Sequence, residues 1–468
     1  MINVKNPSIV LAFLFISFPL VATLHWDWSH ININDIVLPP LCGVSMSEYQ
    51  NSGAINCPDS NWAHWEAQGT INGYPTIDGN QTSGIACDFW NNYKNDIQLI
   101  KELGCNALRL SVEWSIIEPQ KGKFNQAAMD HYKDVCNELI ANGITPMITL
   151  HHFTHPQWFE ERGGFEREEN IRYFVRFCER IFMHLQDQVK LWCTINEIGP
   201  YAFQGYIHGA FPPGKHNIYT AATVMKHMLI AHVDVYNTLK ALPGGKDTQI
   251  GIVHQYLSFE SHSYISVLEH IPSLFMNYVF NDAIVHFLKT GELFPRIPLL
   301  RRTIVDAPDA YDFIGLNFYS RVVLKSNIFD KLINCDFSTK DIVAPACLDG
   351  EIMTDMEYPI YPEGLYIALK EMAQLGKPIY VTENGVPDGN DDRRPLYIKR
   401  YLYALSQAIK EGVDVRGYFY WSLMDNFEWD RGYNKKFGLY EADFTTQKRS
   451  LRPGAQCYQR AIQTSSRV

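Results

Sequence analysis

An α/β fold closed into a single-domain (β/α)8 TIM barrel with elaborated βα loops is what the sequence predicts, on three observations. Eight short runs rich in β-branched and aromatic residues recur along the chain, mostly separated by helical stretches. Several helical stretches end on a glycine shortly before the next run. Polar residues gather at the carboxyl ends of the runs, where barrels of this kind build their sites. An open doubly wound sheet is the rival. It calls for a glycine-rich phosphate loop after its first strand, and "CGVSMSEYQ" is not one.

In chain order the runs are "LPPLCGVSM", "NALRLSVEW", "TPMITLHH", "VKLWCTINE", "TQIGIVHQYL", "YDFIGLNFY", "KPIYVTENG" and "VRGYFYWSLMD". The helix before the second run places Tyr93, Ile97 and Ile100 on one face, and the next helix does so with Met129, Tyr132, Cys136 and Leu139. Gly104, Gly143, Gly376 and Gly412 each stand where a helix needs a left-handed stop. Within "NALRLSVEW", Leu108, Leu110 and Val112 alternate with Arg109, Ser111 and Glu113, so one set faces the helices and the other the lumen. A guanidinium inside a barrel must be paired. Its partner is either Glu113, in a purely structural ion pair, or a carboxylate brought in by another strand.

The net charge of -10 argues against nucleic acid or an anionic membrane surface as partner. Ten cysteines are spread singly with no CxxC pair, which argues against a zinc site and leaves buried thiols or one or two disulfides open. Residues 9–24 are nearly all apolar and follow Lys5, so residues 1–24 read as a secretory signal with a small residue near Ala22. Secretion to a periplasmic or extracellular location is therefore expected; a membrane anchor left uncleaved, or a cytoplasmic protein, is the alternative. Residues 25–37 form an extension with no assignment, and residues 38–468 form the barrel. "NQT" at Asn80 is a glycosylation sequon in a glycosylating host.

Chemistry concentrates in "CTINEIG" and "YVTENGV", which put Glu197 and Glu383 at the ends of the fourth and seventh strands. Those strand ends face each other across the lumen. Glycoside hydrolysis needs two such carboxyl groups, one protonated to release the leaving oxygen and one ionised. Taken singly, each glutamate could equally be an idle loop carboxylate. "HHFTH" could suggest a metal cluster, but it lacks an adjacent carboxylate or cysteine ligand. Trp421 and Trp429, taken alone, could be ordinary core aromatics.

These motifs, in this order, closely resemble glycoside hydrolase family 1, the β-glucosidase-type barrels, from about Leu38 to the C-terminal region. The family's Thr-x-Asn-Glu signature is matched by Thr194, Asn196 and Glu197, and its Thr-Glu-Asn-Gly signature by Thr382, Glu383, Asn384 and Gly385. The resemblance implies that Glu197 is the general acid/base and Glu383 the nucleophile, supported by Arg109 and Tyr319. It further implies that Gln50, His152, Asn196, Trp421, Glu428 and Trp429 bind the sugar. No cofactor and no metal is implied, because acid, base and nucleophile are all side chains.

The activity so implied is a retaining β-glycosidase acting on terminal β-D-glucosyl groups of a small glycoside or oligosaccharide (EC 3.2.1.21), with β-galactosyl or β-fucosyl tolerated. Rival readings are a 6-phospho-β-glycosidase, a catalytically silent sugar-binding barrel and a transglycosylase. Relatives acting on 6-phosphoglycosides replace the Glu428–Trp429 pair with phosphate-binding residues, and silent relatives generally lose one catalytic glutamate. Three departures from the family pattern stand out. Ile198 replaces a proline, Ile116 replaces an arginine, and "QNSG" lacks the glutamate expected two residues after Gln50. The sequence leaves the aglycone and the oligomeric state open.

Overall fold

The computed structural model describes residues 26–467 apart from 72, 264–265, 298–300 and 327–342. Eight parallel strands close into a barrel: β1 (Leu41–Met46), β2 (Ala107–Ser111), β3 (Thr145–His151), β4 (Leu191–Asn196), β5 (Gln249–Gln255), β6 (Phe313–Asn317), β7 (Ile379–Asn384) and β8 (Val415–Trp421). Each pairs with its neighbour in sequence, and β8 closes on β1 with Trp421 opposite Ser45. All eight runs read from the sequence are strands of this barrel.

The helices ring the strands because each has one apolar face. Helix α1 (Phe89–Glu102) buries Phe89, Ile97 and Ile100, and α2 (Gln126–Ala141) buries Met129, Tyr132, Cys136 and Leu139. Helix α3 (Ile171–Leu185) buries Phe174, Phe177, Cys178, Ile181, Phe182 and Leu185, a helical stripe in which each large side chain contributes about 1.5–3 kcal/mol. Helices α4 (Ile218–Ala241), α5 (Ala283–Thr290), α6 (Pro362–Ala373), α7 (Arg394–Lys410) and α8 (Gln456–Thr464) complete the ring. Gly104, Gly143, Gly376 and Gly412 have φ of 79°, 74°, 67° and 87°, the left-handed stops expected of them.

The lower lumen is a separate apolar cluster that includes Met147, Cys193, Phe313, Tyr380 and Phe419. Gly251 and Gly417 make room for its rings: a Cβ on either would lie 2.5 Å from Phe313 or 2.6 Å from Tyr380. Apolar residues thus plug one end of the barrel, and the polar residues of the strand ends lie at the other.

The extension before the barrel is docked. Val37–Leu38 pairs in parallel with Ser466–Arg467, and the Lys410 ammonium on α7 donates to the Asp35 carbonyl at 2.9 Å. Trp26 packs edge-on against Tyr366 of α6 and Tyr403 of α7 at 5.5 and 5.4 Å. The signal expected over residues 1–24 lies outside the described residues. Cys57, Cys87, Cys136, Cys178 and Cys193 are buried free thiols, which takes the thiol branch of the cysteine reading at those positions.

Candidate active site

Arg109 on β2 organises the polar end of the lumen. It is fully buried and directs Nε to Thr149 Oγ1 at 3.0 Å, Nη1 to Ser45 Oγ at 3.0 Å and Nη2 to Asn196 Oδ1 at 2.7 Å. Nη1 also forms an ion pair with Glu383 Oε1 from β7. The structural pairing of Arg109 with Glu113 is therefore not what forms. Glu113 instead accepts from Ser115 N at 3.1 Å, capping the short helix Trp114–Ile117, and from Thr154 Oγ1 at 2.6 Å.

Glu383 is buried, and its second oxygen accepts from the Tyr319 hydroxyl at 2.7 Å, with His152 Nε2 4.0 Å from Oε1. The Asn384 amide next to it donates to the Phe318 carbonyl and the Tyr397 hydroxyl, at 2.6 and 2.8 Å, fixing the strand end. Gly385 is required by the close approach of β8: a Cβ there would lie 1.8 Å from the Trp421 carbonyl oxygen. So Glu383, next to last in β7, aims its carboxylate into the lumen, and Asn384 after it is locked to Phe318 and Tyr397.

Glu197 follows β4 with φ 47°, a left-handed conformation uncommon for a side-chain-bearing residue. Its N–H donates to the Val253 carbonyl at 3.0 Å, and its Oε1 accepts from Asn317 Nδ2 at 2.7 Å. Burial pushes the Glu197 carboxyl well above the ordinary range, and the negative charge of Glu383 adds to this. Asn317 also donates to Asn196 Oδ1 at 3.1 Å and accepts from Thr382 Oγ1 at 2.6 Å. An unbroken chain of polar contacts thus runs from Glu197 through Asn317, Asn196 and Arg109 to Glu383.

The remaining expected residues line the same space. His152 Nε2 is 3.3 Å from Asn196 Nδ2, and its ring lies nearly parallel to Trp421 at 5.8 Å and to Trp429 at 6.1 Å. Burial, followed by the Arg109 charge, holds His152 well below the ordinary imidazole range, so the ring is neutral. Gln50 donates to Glu428 Oε2 at 3.2 Å and accepts from Ser47 Oγ at 2.7 Å. Burial, then the charges of Asp430 and Glu383, pushes Glu428 up to about 8. Trp429 stacks on Tyr49 with an interplanar angle of 2°.

Every residue singled out from the sequence therefore reaches one cleft. Asn317 was read only as one of the polar strand-end residues, with no role, and Ser45 and Thr149 were not singled out. Their signal was present: each is a small polar residue at an inward position of a strand whose neighbours are apolar.

This cleft, at the carboxyl ends of an eight-stranded barrel with two buried glutamates, one just after β4 and one on β7, defines a barrel glycosidase. The sequence model of glycosyl hydrolase family 1 matches residues 40–467, and the chain belongs to that family. It is 32% identical over 464 residues to a 6-phospho-beta-galactosidase of Clostridium acetobutylicum, covering 89% of this chain and 95% of that protein. It is 30% identical over 451 residues to Beta-glucosidase A of Thermotoga maritima, covering 91% and 97%. Among solved structures, the beta-glycosidase from Pyrococcus horikoshii superposes with a TM-score of 0.80 at 32% identity, covering 92% of this chain and 96% of that one. The Thermotoga maritima beta-glucosidase in complex with glucoimidazole gives 0.81 at 30% identity, covering 92% and 99%.

Proposed function

We propose that this glycosidase is a retaining β-glucosidase, with Glu383 as nucleophile and Glu197 as acid/base. The observation that carries the reading is the contrast between two buried carboxyls in one cleft. Glu197 is raised by burial and accepts one amide N–H, whereas Glu383 is ion-paired with Arg109 and bonded to Tyr319. One is suited to carry a proton, the other a charge.

In the first step Glu383 attacks the anomeric carbon, and the leaving oxygen departs with the proton of Glu197. The covalent ester removes the negative charge of Glu383, so the Glu197 pKa falls and its carboxylate can deprotonate water. That water attacks the anomeric carbon, Glu383 leaves, and the anomeric configuration is retained. The neutral His152, Asn196, Gln50 and Glu428 offer donors and acceptors to sugar hydroxyls, and Trp421 offers an apolar face.

A terminal glucosyl group is favoured over a 6-phosphoglycosyl group by Glu428. Its carboxyl accepts from Gln50 and stands close enough to Asp430 for that charge to raise its pKa. A phosphate there would meet carboxyl groups. The 6-phospho-beta-galactosidase relative keeps the rival open. Export is part of the same reading, supported by the apolar run at residues 9–24.

The test is a rate panel of nitrophenyl glycosides with and without 6-phosphate, on wild type and Glu383→Ala. Wild type should prefer the unphosphorylated glucoside. Glu383→Ala should be inactive until azide is added, and should then yield the inverted glycosyl azide. Near-wild-type turnover by Glu383→Ala without azide would remove Glu383 from its role, and a strong preference for the phosphate would overturn the substrate.

A further inference from the structure

The turn that carries Gln50 cannot hold itself. The helical stretch Glu48–Asn56 is broken at Gly53 (φ 69°, ψ 174°), so residues 48–52 form little more than one turn. A turn of that length is not stable alone and needs side-chain ties to its surroundings. Gln50 uses its own side chain on Ser47 and Glu428. Its carbonyl accepts from Phe427 N at 3.0 Å, and a further set of ties, to β2 and α1, runs through Glu48 and Ser52.

Glu48 is buried behind the cleft, away from the sugar-facing side chains. Its N–H donates to Ser111 Oγ at the end of β2, at 2.8 Å. Its carboxyl accepts from the Ser52 hydroxyl, whose oxygen in turn accepts from Trp90 N in the first turn of α1 at 3.1 Å. The backbone of Glu48 thus ties the turn to β2, and its carboxyl ties it through Ser52 to α1, on either side of the residue two positions ahead.

The chamber holds no compensating base at Glu48. Glu113 from the end of β2 faces it, with Tyr132 of α2 as a hydrogen-bonding neighbour. Cys57 of the first βα segment senses the charges of Glu48, Glu113 and Glu66, and His155 acts on Glu113. Among the described residues, no Lys, Arg or His nitrogen lies within 4.0 Å of the Glu48 carboxyl. Burial, offset in part by Ser52 and reinforced by Glu113, pushes Glu48 up to about 8. Position 52, where the family pattern carries a glutamate, is a serine here, and its hydroxyl donates to the carboxyl of Glu48 one helical turn earlier.

We propose that Glu48 is a positioning residue for Gln50, acting as an uncharged carboxylic acid that ties the first βα turn through Ser52 to α1. This rests on the reading of Gln50 as a sugar ligand. Glu48 touches no substrate, so its removal should weaken binding of the glycosyl group more than it slows the bond-breaking step.

The test compares wild type, Glu48→Ala and Glu48→Gln by steady-state kinetics on a nitrophenyl glucoside at pH 6.5, and by thermal melts from pH 5 to pH 8. Glu48→Ala should raise KM roughly tenfold, the worth of about one hydrogen bond, with kcat within about threefold. Glu48→Gln, a neutral group of the same shape, should restore KM to within about twofold of wild type. Because the folded pKa lies above the unfolded one, wild type should lose Tm relative to Glu48→Gln as pH rises through that window. A Glu48→Gln variant as impaired as Glu48→Ala, equal losses in kcat and KM, or melts that run parallel in pH would each overturn the proposal. The melts are read even if wild type cleaves no glycoside, an outcome that defeats the functional reading instead.

Discussion

Arg109→Met strands the charge of Glu383, and its cost can be worked from the contacts. Methionine fits the stem of Arg109 but replaces none of its donors to Thr149, Ser45, Asn196 and Glu383. Glu383 would keep only the Tyr319 hydroxyl at 2.7 Å and a distant His152 at 4.0 Å. Removing one partner of a buried ion pair costs about 3–5 kcal/mol, because the other charge stays in a dry site. With an unfolding entropy of about 2.1 cal/mol/K per residue, a chain of this length should lose on the order of 3–5 °C in Tm.

Adding Glu383→Gln to Arg109→Met removes the stranded charge, so the double variant should recover most of that Tm and none of the activity. Scanning calorimetry of wild type, both single variants and the double variant, at one pH and one scan rate, reads the cycle. If Arg109→Met melts with wild type, the buried pair is not what it holds. A double variant no more stable than Arg109→Met would mean that lost packing, not charge, sets the cost.

Two further outcomes follow from neighbouring contacts. Asn317→Ala deletes the donor that lowers the Glu197 pKa while leaving burial, the larger cause, in place. The alkaline limb of kcat/KM should therefore move to higher pH as the maximum rate falls, and a limb displaced downward would contradict the role of that bond. Trp26→Ala combined with Trp28→Ala removes the edge contacts to Tyr366 and Tyr403. The pair should lower unfolding stability by roughly 1–3 kcal/mol in a urea titration, with kcat/KM within about twofold of wild type.

The barrel was legible because a buried parallel strand and an amphipathic helix leave different periods in sequence, and a glycine marks where one gives way to the other. The ends of the strands were legible for the same reason: "YVTENG" must stop being apolar where the lumen opens. What sequence could not show is which inward polar residue meets which. The choice between Glu113 and a remote carboxylate for Arg109 depended on the barrel closing, since Arg109 and Glu383 lie 274 positions apart. Asn317 is the sharper case. Its side chain bridges Glu197, Asn196 and Thr382, yet in sequence it is one asparagine at the end of "FIGLN".

The departures from the family pattern acquire different meanings once placed in the fold. A proline at 198 would restrict the backbone of Glu197 from the position after it. With Ile198 there, the left-handed Glu197 is held instead by its N–H on the Val253 carbonyl and by Asn317 on its carboxyl. The substitution at 52 acts in the opposite sense, removing a carboxyl from a turn that Glu48 then supplies one helical turn earlier. In both places the constraint on a site residue is carried by hydrogen bonds of neighbouring segments. Rigidity at this site is therefore a property of the strand-end network, and a variant that loosens Asn317 or Glu48 should disturb sugar binding or proton transfer with both Glu197 and Glu383 left in place.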